Sequence, residues 1–210
     1  MSWIKNTSLL LISLIISFGC IELIARFYFS AEDPKDQVHQ TYGLNEIGER
    51  YGRGCAHGWC AKPGSYKNVT KKIKETKEII YSVQYTIGKN NLRVTPKINN
   101  NVNIHMHYFG GSHVFGEGLN DNETLSYFSQ VASIKVQSEN FGFHGHGVHN
   151  ALRLLQTLEA SEEQKGAINL LLTGPYHAFR SACIPSYTGN HPRFEMNDEK
   201  LYLKGKCENK

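Results

Sequence analysis

The chain lacks the concentrated basic surface that a nucleic-acid-binding protein needs. Its formal net charge is only +4 over 210 residues, and the lysines between Lys71 and Lys77 alternate with glutamates. Binding to a phosphate backbone depends on clustered lysine and arginine side chains. We therefore expect no nucleic-acid partner. Bulk disorder is not indicated either, because 40% of the residues are hydrophobic and 20% are charged, as in an ordinary globular protein.

A pattern of metal ligands is also missing. The segment from Cys55 to Cys60 contains His57 and could begin a zinc site, but no second cluster with ligand spacing follows it. The histidines of the segment 144–149 lack the i, i+4 helical spacing of a zinc pair. We expect neither a metal nor a cofactor. If the domain is exported, Cys55, Cys60, Cys183 and Cys207 permit three disulfide pairings; Cys55 with Cys60 is the most economical, and free thiols are the alternative.

One long apolar run is present near the amino terminus. Residues Leu9 to Phe29 are nearly all apolar, which is enough to cross a bilayer core of about 30 Å. Lys5 precedes the run, and Arg26 lies near its end beside aromatic residues suited to an interface. We predict a transmembrane signal anchor at residues 1–30, with the lipid bilayer as its partner and the carboxy-terminal domain outside the cytoplasm. A cleaved signal peptide and a lipid anchor on Cys20 are the alternatives.

Residues 31–78 show no sustained periodicity and predict a juxtamembrane linker and an irregular cap with little regular structure. The pattern changes at Ile79, where a strand-like segment to Ile87, a turn, and a second extended segment to Thr95 predict a hairpin. Near the carboxy terminus, the segment from His191 to Gly205 predicts a β-hairpin about an Asn-Asp turn.

Strands and helices alternate through residues 79–210, which predicts an α/β domain with a parallel sheet. The final apolar run, Ala167 to Thr173, is typical of a strand that is covered on both faces. In such sheets, functional residues lie in the loops at the carboxyl ends of the strands. The predicted strands are Val102–Phe109, a short strand ending near Gly142, and Ala167–Thr173; the predicted helices are Glu123–Val136 and Val148–Ala160.

The first of these loops places a serine on a glycine-rich turn. Phe109-Gly110-Gly111-Ser112-His113-Val114-Phe115-Gly116-Glu117-Gly118 follows a predicted strand, which is where an α/β enzyme holds a nucleophile. Acyl transfer also needs a base that takes the serine proton and donors that hold the oxyanion. The loops after the other two strands are the places to look for them.

Three blocks follow one another along the chain: the serine turn continued by Asn120–Leu125, then Asn140–Gly147, then Thr173–Arg180. Together they resemble the blocks of the SGNH or GDSL hydrolases, in particular a membrane-anchored bacterial branch. The resemblance implies a three-layer, flavodoxin-like parallel sheet with an N-terminal transmembrane helix. It implies Ser112 as the nucleophile and Gly145 as an oxyanion donor. The asparagine of the family's third block is replaced here, so His177 is the candidate third oxyanion donor.

The resemblance implies an esterase or acetylesterase that acts on ester-linked acyl groups of envelope lipid or glycan. The family's Asp-x-x-His pair is not found after the third block, and Asp36-Gln37-Val38-His39, which has that spacing, precedes the sheet. His144, His146 and His149 follow the second strand, but no carboxylate partner is evident from the sequence. We therefore expect residues 79–210 to be a partial SGNH-like domain, incomplete at the carboxy terminus. The alternatives to an active enzyme are a non-catalytic truncated remnant and a membrane-tethered binding or scaffold protein.

Overall fold

The computed structural model describes residues 17–21, 23, 38–41, 51–73, 75–159, 166–185 and 188–208. The chain divides into two compact units, Met1–Gln40 with Lys71–Ile80, and Thr41–Thr70 with Tyr81–Lys210. The first unit contains most of strand β1 (Val38–Thr41) and the turn between two longer strands, where the Ile73 N–H donates to the Glu78 carbonyl. The candidate site and every element after residue 87 lie in the second unit.

The segment expected to have little regular structure contains several strands, so that expectation is wrong. Two of these strands, β2 (Tyr51–Cys55) and β3 (Gly58–Ala61), are too short to show a clear period. The longer β4 (Gly64–Ile73) does not alternate strictly between buried and exposed residues. The hairpin of β2 and β3 is closed by a disulfide between Cys55 and Cys60, as the most economical pairing predicts. Strands β1, β4 and β5 (Ile79–Ile87) form one sheet in the order β1-β4-β5.

The predicted parallel pairing is found in three strands, β6 (Ile104–Gly110), β7 (Val136–Gly142) and β8 (Ile168–Leu171). They are ordered β7-β6-β8, and both neighbours of β6 run parallel to it. Gly110 is paired with Gly142, so β6 and β7 end at the same level of the sheet. The loops that follow these strands therefore meet at one edge.

Helices connect these strands: α1 (Ser112–Phe115), a 3₁₀ turn (Asp121–Glu123), α2 (Leu125–Ala132), α3 (Val148–Glu159) and α4 (Pro175–Ser181). Helix α3 packs Ala151 and Leu154 against Phe109 of β6 and Phe141 of β7. Before α2, the Thr124 side chain accepts the Tyr127 N–H as an N-cap.

The predicted three-layer, flavodoxin-like sheet is wrong. The parallel sheet has three strands, and the other sheets of the described chain are small and separate from it. Strand β8, which was expected to be covered on both faces, leaves Ile168 49% exposed and Leu171 46% exposed. Its apolar run is that of a buried strand, but the described residues pair it on one side alone, with β6. Composition indicates what a strand can bury, whereas its position in the sheet depends on distant segments.

The predicted transmembrane helix is not borne out. Among the residues described, no helix is long and apolar enough to cross a membrane. Residues 17–21 and 23 are helical, and the rest of the predicted segment 9–29 lies outside the described residues. Of the Asp-x-x-His segment, Asp36 and Gln37 also lie outside them.

The predicted carboxy-terminal hairpin is confirmed. Strands β9 (Pro192–Asn197) and β10 (Lys200–Lys206) pair antiparallel, with Asp198 and Glu199 at positive φ in the turn between them. A second disulfide joins Cys183 and Cys207. The cross-link ties the end of α4 to the end of β10.

Arg93 organises the turn that follows α1. It is 2% exposed, and its guanidinium donates to the carbonyls of Phe115 at 2.6 Å, Gly116 at 2.7 Å and Leu119 at 2.6 Å. An ion pair with Asp121 at 3.2 Å balances its charge. A single buried cation thereby holds the backbone between Phe115 and Asp121.

Candidate active site

Two glycines allow the serine-bearing helix to lie directly against the strand ends. A Cβ on Gly110 would lie 2.5 Å from the Val114 side chain, and one on Gly142 would lie 2.5 Å from the Phe115 nitrogen. These contacts are too short for any larger residue. Ser112 is the first residue of α1 and is partly exposed. The structure thus places the predicted nucleophile at the carboxyl end of the central strand.

The three loops at this edge meet beside Ser112, at Gly111. A Cβ on Gly111 would lie 3.0 Å from His177 Nε2, 3.0 Å from an Arg180 nitrogen and 3.4 Å from the His146 carbonyl oxygen. His177 and Arg180 belong to helix α4, and His146 belongs to the loop after β7, so none of these groups comes from the serine turn. The space that a larger residue would fill next to the nucleophile is therefore occupied by polar groups.

His177 is held in one tautomer. Its Nδ1 accepts the Gly174 backbone N–H at 2.8 Å, so in the neutral ring the proton is on Nε2. The side chain is 3% exposed, and Nε2 is buried with no hydrogen-bond partner among the residues that the structure describes. Burial, and then the positive charge of Arg180, lower the pKa of His177. The ring is therefore a neutral N–H donor beside the nucleophile turn, which is compatible with the predicted oxyanion role.

Gly145 lies on the loop after β7, which we call the Gly145 loop (residues 143–150). It has a φ of 75°, a conformation that glycine adopts without strain. The turn that contains Gly145 is closed by the His146 N–H, which donates to the Phe143 carbonyl at 3.2 Å. Phe143 N–H in turn donates to the Gly110 carbonyl at 3.2 Å, which ties this loop to the serine strand. The oxyanion role of Gly145 stays a prediction.

A carboxylate–imidazole pair joins the serine turn to the Gly145 loop. His144 Nδ1 lies 3.2 Å from Glu117 Oε2, and the Tyr81 hydroxyl donates to Glu117 Oε1 at 3.3 Å. Both side chains of the pair are about one-fifth to one-quarter exposed. Sequence reasoning missed Glu117 as a partner because the two residues become neighbours only through the β6–β7 register.

Three more buried histidines, His146, His149 and His191, form hydrogen bonds in and beside the Gly145 loop. His146 Nε2 donates to the Trp59 carbonyl at 2.9 Å, and His149 Nε2 shares a hydrogen bond with His191 Nδ1 at 3.2 Å. Burial lowers the pKa of His149 to about 4 and that of His191 to about 3. These imidazoles are neutral near pH 7 and are engaged with each other and with the protein. Their placement indicates support of the loop, not catalysis.

Within the ranges that the structure describes, no three His, Cys, Asp or Glu residues are grouped so that they could hold a metal ion. A cavity of about 350 Å³ lies between α4 and β9, lined by Ser181, Cys183, Arg193 and Glu195 among others. Ser112 does not line this cavity. The candidate site is therefore the strand-end turn itself.

Comparison with known proteins adds no relative. No known protein-family model matches the chain, and no curated protein matches its sequence. The resemblance to SGNH hydrolases therefore rests on the three blocks and stays a prediction.

Proposed function

We propose that this chain is a serine hydrolase of the SGNH type that cleaves ester-linked acyl groups, with Ser112 as its nucleophile. The observation that carries the proposal is the His177 Nε2–H, which is buried, held in one tautomer and adjacent to Gly111. A buried donor without a partner costs free energy unless a ligand uses it. An oxyanion that forms at Ser112 is such a ligand.

Three donors would surround that oxyanion. The backbone N–H groups of Ser112 and Gly145 and the Nε2–H of His177 come from the three loops at the strand edge. Preorganised donors of this kind stabilise the negative charge that develops on the carbonyl oxygen. The neutral state of His177 suits this role, because its proton stays on Nε2 and is not exchanged in the reaction.

The Glu117–His144 pair is the candidate base. We assign the base to this pair by its chemistry: the carboxylate holds His144 Nδ1, which leaves Nε2 as the nitrogen that would take the Ser112 proton. Ser112 Oγ bonds to the acyl carbon, the C–O bond of the ester breaks, and His144 returns the proton to the departing alcohol. Water then attacks the acyl-serine by the same route, which releases the acid and restores the Ser112 hydroxyl.

The substrate class follows from the resemblance and from the compartment. Two disulfides indicate an oxidising environment outside the cytoplasm. An acyl or acetyl ester of an envelope lipid or glycan is the substrate that this location and the three blocks favour.

A covalent serine probe tests the proposal. The purified chain is incubated with a fluorophosphonate, and the modified residue is mapped by mass spectrometry, with Ser112→Ala as the variant and Ser129→Ala as a matched control. We expect labelling of the wild type and the control and none of Ser112→Ala. Labelling that does not depend on Ser112, or no labelling at all, would favour the non-catalytic binding or scaffold alternative.

A further inference from the structure

The Gly145 loop is held by a hairpin that is distant in the sequence. His146 donates from Nε2 to the Trp59 carbonyl at 2.9 Å, and Asn150 Nδ2 donates to the His57 carbonyl at 2.6 Å. Trp59 and His57 belong to the β2–β3 hairpin, which the Cys55–Cys60 disulfide closes. Two backbone carbonyls of this hairpin thus fix the loop at two points.

The same residues fix the loop internally and toward α4. Asn150 Oδ1 accepts the Gly147 N–H at 2.7 Å, so one amide side chain links the hairpin to the loop backbone. Arg180 donates to the His146 carbonyl at 2.9 Å. His146, the residue after Gly145, is therefore held through its ring, its carbonyl and its N–H, and it is 1% exposed.

The tip of the hairpin, at Gly58, is closely packed against Asn150 of the Gly145 loop. Gly58 has a φ of 107°, and a Cβ there would collide with the Asn150 amide nitrogen and lie 2.9 Å from the His191 ring. Such a fit requires the tip to keep one backbone shape. The disulfide supplies that constraint, because it joins the residues on either side of the tip with a Cα–Cα separation of 6.0 Å.

We infer that the disulfide-closed β2–β3 hairpin positions the Gly145 N–H, with His146 and Asn150 as positioning residues, so that reactivity of Ser112 depends on an oxidised Cys55–Cys60 bond. This inference rests on the proposed hydrolase function. A dithiol such as dithiothreitol would reverse the constraint: it transfers two electrons and two protons to the disulfide, giving two thiols and the cyclic disulfide of the reagent. The released tip no longer presents the two carbonyls in one geometry.

The first test compares rate constants for fluorophosphonate labelling of Ser112. His146→Leu and the double variant C55S/C60S should label about ten- to one-hundred-fold more slowly, because a displacement of about 1 Å in a positioned group costs on this order. His146→Gln keeps an N–H donor that reaches Trp59 and should stay within about three-fold of the wild type. C183S/C207S is the matched disulfide control, for which we expect a smaller loss than for C55S/C60S.

A second measurement tests whether the Gly145 loop is held in place, and it does not require turnover. Hydrogen–deuterium exchange of residues 143–150 should become faster by about ten-fold or more in C55S/C60S, while exchange in β6 stays unchanged and shows that the fold is intact. Unchanged exchange in this loop would overturn the inference even if Ser112 proves unreactive. Equal labelling rates for wild type, His146→Leu and C55S/C60S would overturn it as well. Absence of Ser112 labelling in the wild type, with faster loop exchange in C55S/C60S, would refute the hydrolase function and leave the structural role of the hairpin supported.

Discussion

The buried histidines should make the free energy of unfolding strongly dependent on pH in mildly acid solution. His149 and His191 are 5% and 0% exposed and share a hydrogen bond, and both are held neutral by burial. The folded pKa values, about 4 for His149 and about 3 for His191, lie below the ordinary value of 6.5. At pH values between the folded pKa values and 6.5, the unfolded chain binds more protons than the folded protein does. Stability is therefore complete above about pH 6.5 and is lost as the pH falls toward the folded pKa values.

The size of the effect follows from the pKa shifts. Lowering a histidine pKa from 6.5 to about 4 corresponds to about 3 kcal/mol between the two protonation states. Each such group contributes a slope of up to about 1.4 kcal/mol per pH unit between its unfolded and folded pKa values. The effects of His149 and His191 overlap because each ring faces the other and both face Arg180. We expect these two groups together to contribute a loss of about 3–5 kcal/mol between pH 7 and pH 4.5, a large part of a typical domain's stability. The lowered pKa values of His57, His146 and His177 act in the same direction and add to the loss.

Urea unfolding followed by circular dichroism at pH 7.5, 6.5, 5.5 and 4.5 measures this loss. The glutamine in His191→Gln cannot be protonated. This variant should therefore reduce the slope of the unfolding free energy against pH by up to about 1.4 kcal/mol per pH unit, which corresponds to one proton, even if it lowers stability at pH 7.5. His105→Gln is the matched control for a histidine-to-glutamine substitution, since His105 is exposed on β6. A free energy of unfolding that is flat between pH 6.5 and 4.5, or the same slope in His191→Gln, would refute the reasoning.

Three further predictions concern the site and its support. Arg93→Ala should lower the free energy of unfolding in urea by about 3–5 kcal/mol, because it removes the cation that pairs with Asp121 and the hydrogen bonds to three backbone carbonyls. Arg193→Ala, in an exposed pair, should change it by less than about 1 kcal/mol. His177→Leu should slow probe labelling of Ser112 by about 10²–10³-fold, as expected for loss of an oxyanion donor, and this loss of rate should exceed what any change in the thermal unfolding midpoint explains. An unchanged rate would exclude that role. Glu117→Gln should slow labelling and alter its pH profile, because the carboxylate no longer supports the imidazolium that forms on the base; an unaltered profile would contradict the pairing proposed with His144.

Local patterns predicted those parts of the fold that depend on short segments. The glycine-rich turn at Ser112 lies at the end of β6, a turn at Asp198 and Glu199 joins β9 to β10, and Cys55 pairs with Cys60. In each case a few neighbouring residues determine the backbone, so nearby sequence carries the information. The role of Ser112 as a nucleophile stays a prediction.

Predictions that needed distant contacts were incomplete. The apolar run of β8 indicated a strand covered on both faces, but its exposure depends on which strands lie beside it. Glu117 was not recognised as a partner of His144, because their contact arises from the register of two strands and not from spacing along the chain. The strands within residues 31–78 were missed because pairing and a cross-link, not periodicity, stabilise them.

The sequence by itself determined the alternation of strands and helices, the position of Ser112 on a turn between them, and the glycines that such a turn requires. Tertiary structure alone decided what surrounds the serine. It placed His177 beside Gly111 and fixed its tautomer through the Gly174 N–H, and it brought the β2–β3 hairpin against the loop of Gly145. The physical reason is that backbone turns respond to local sterics, whereas hydrogen bonds between buried side chains form only when segments far apart in the chain are packed together.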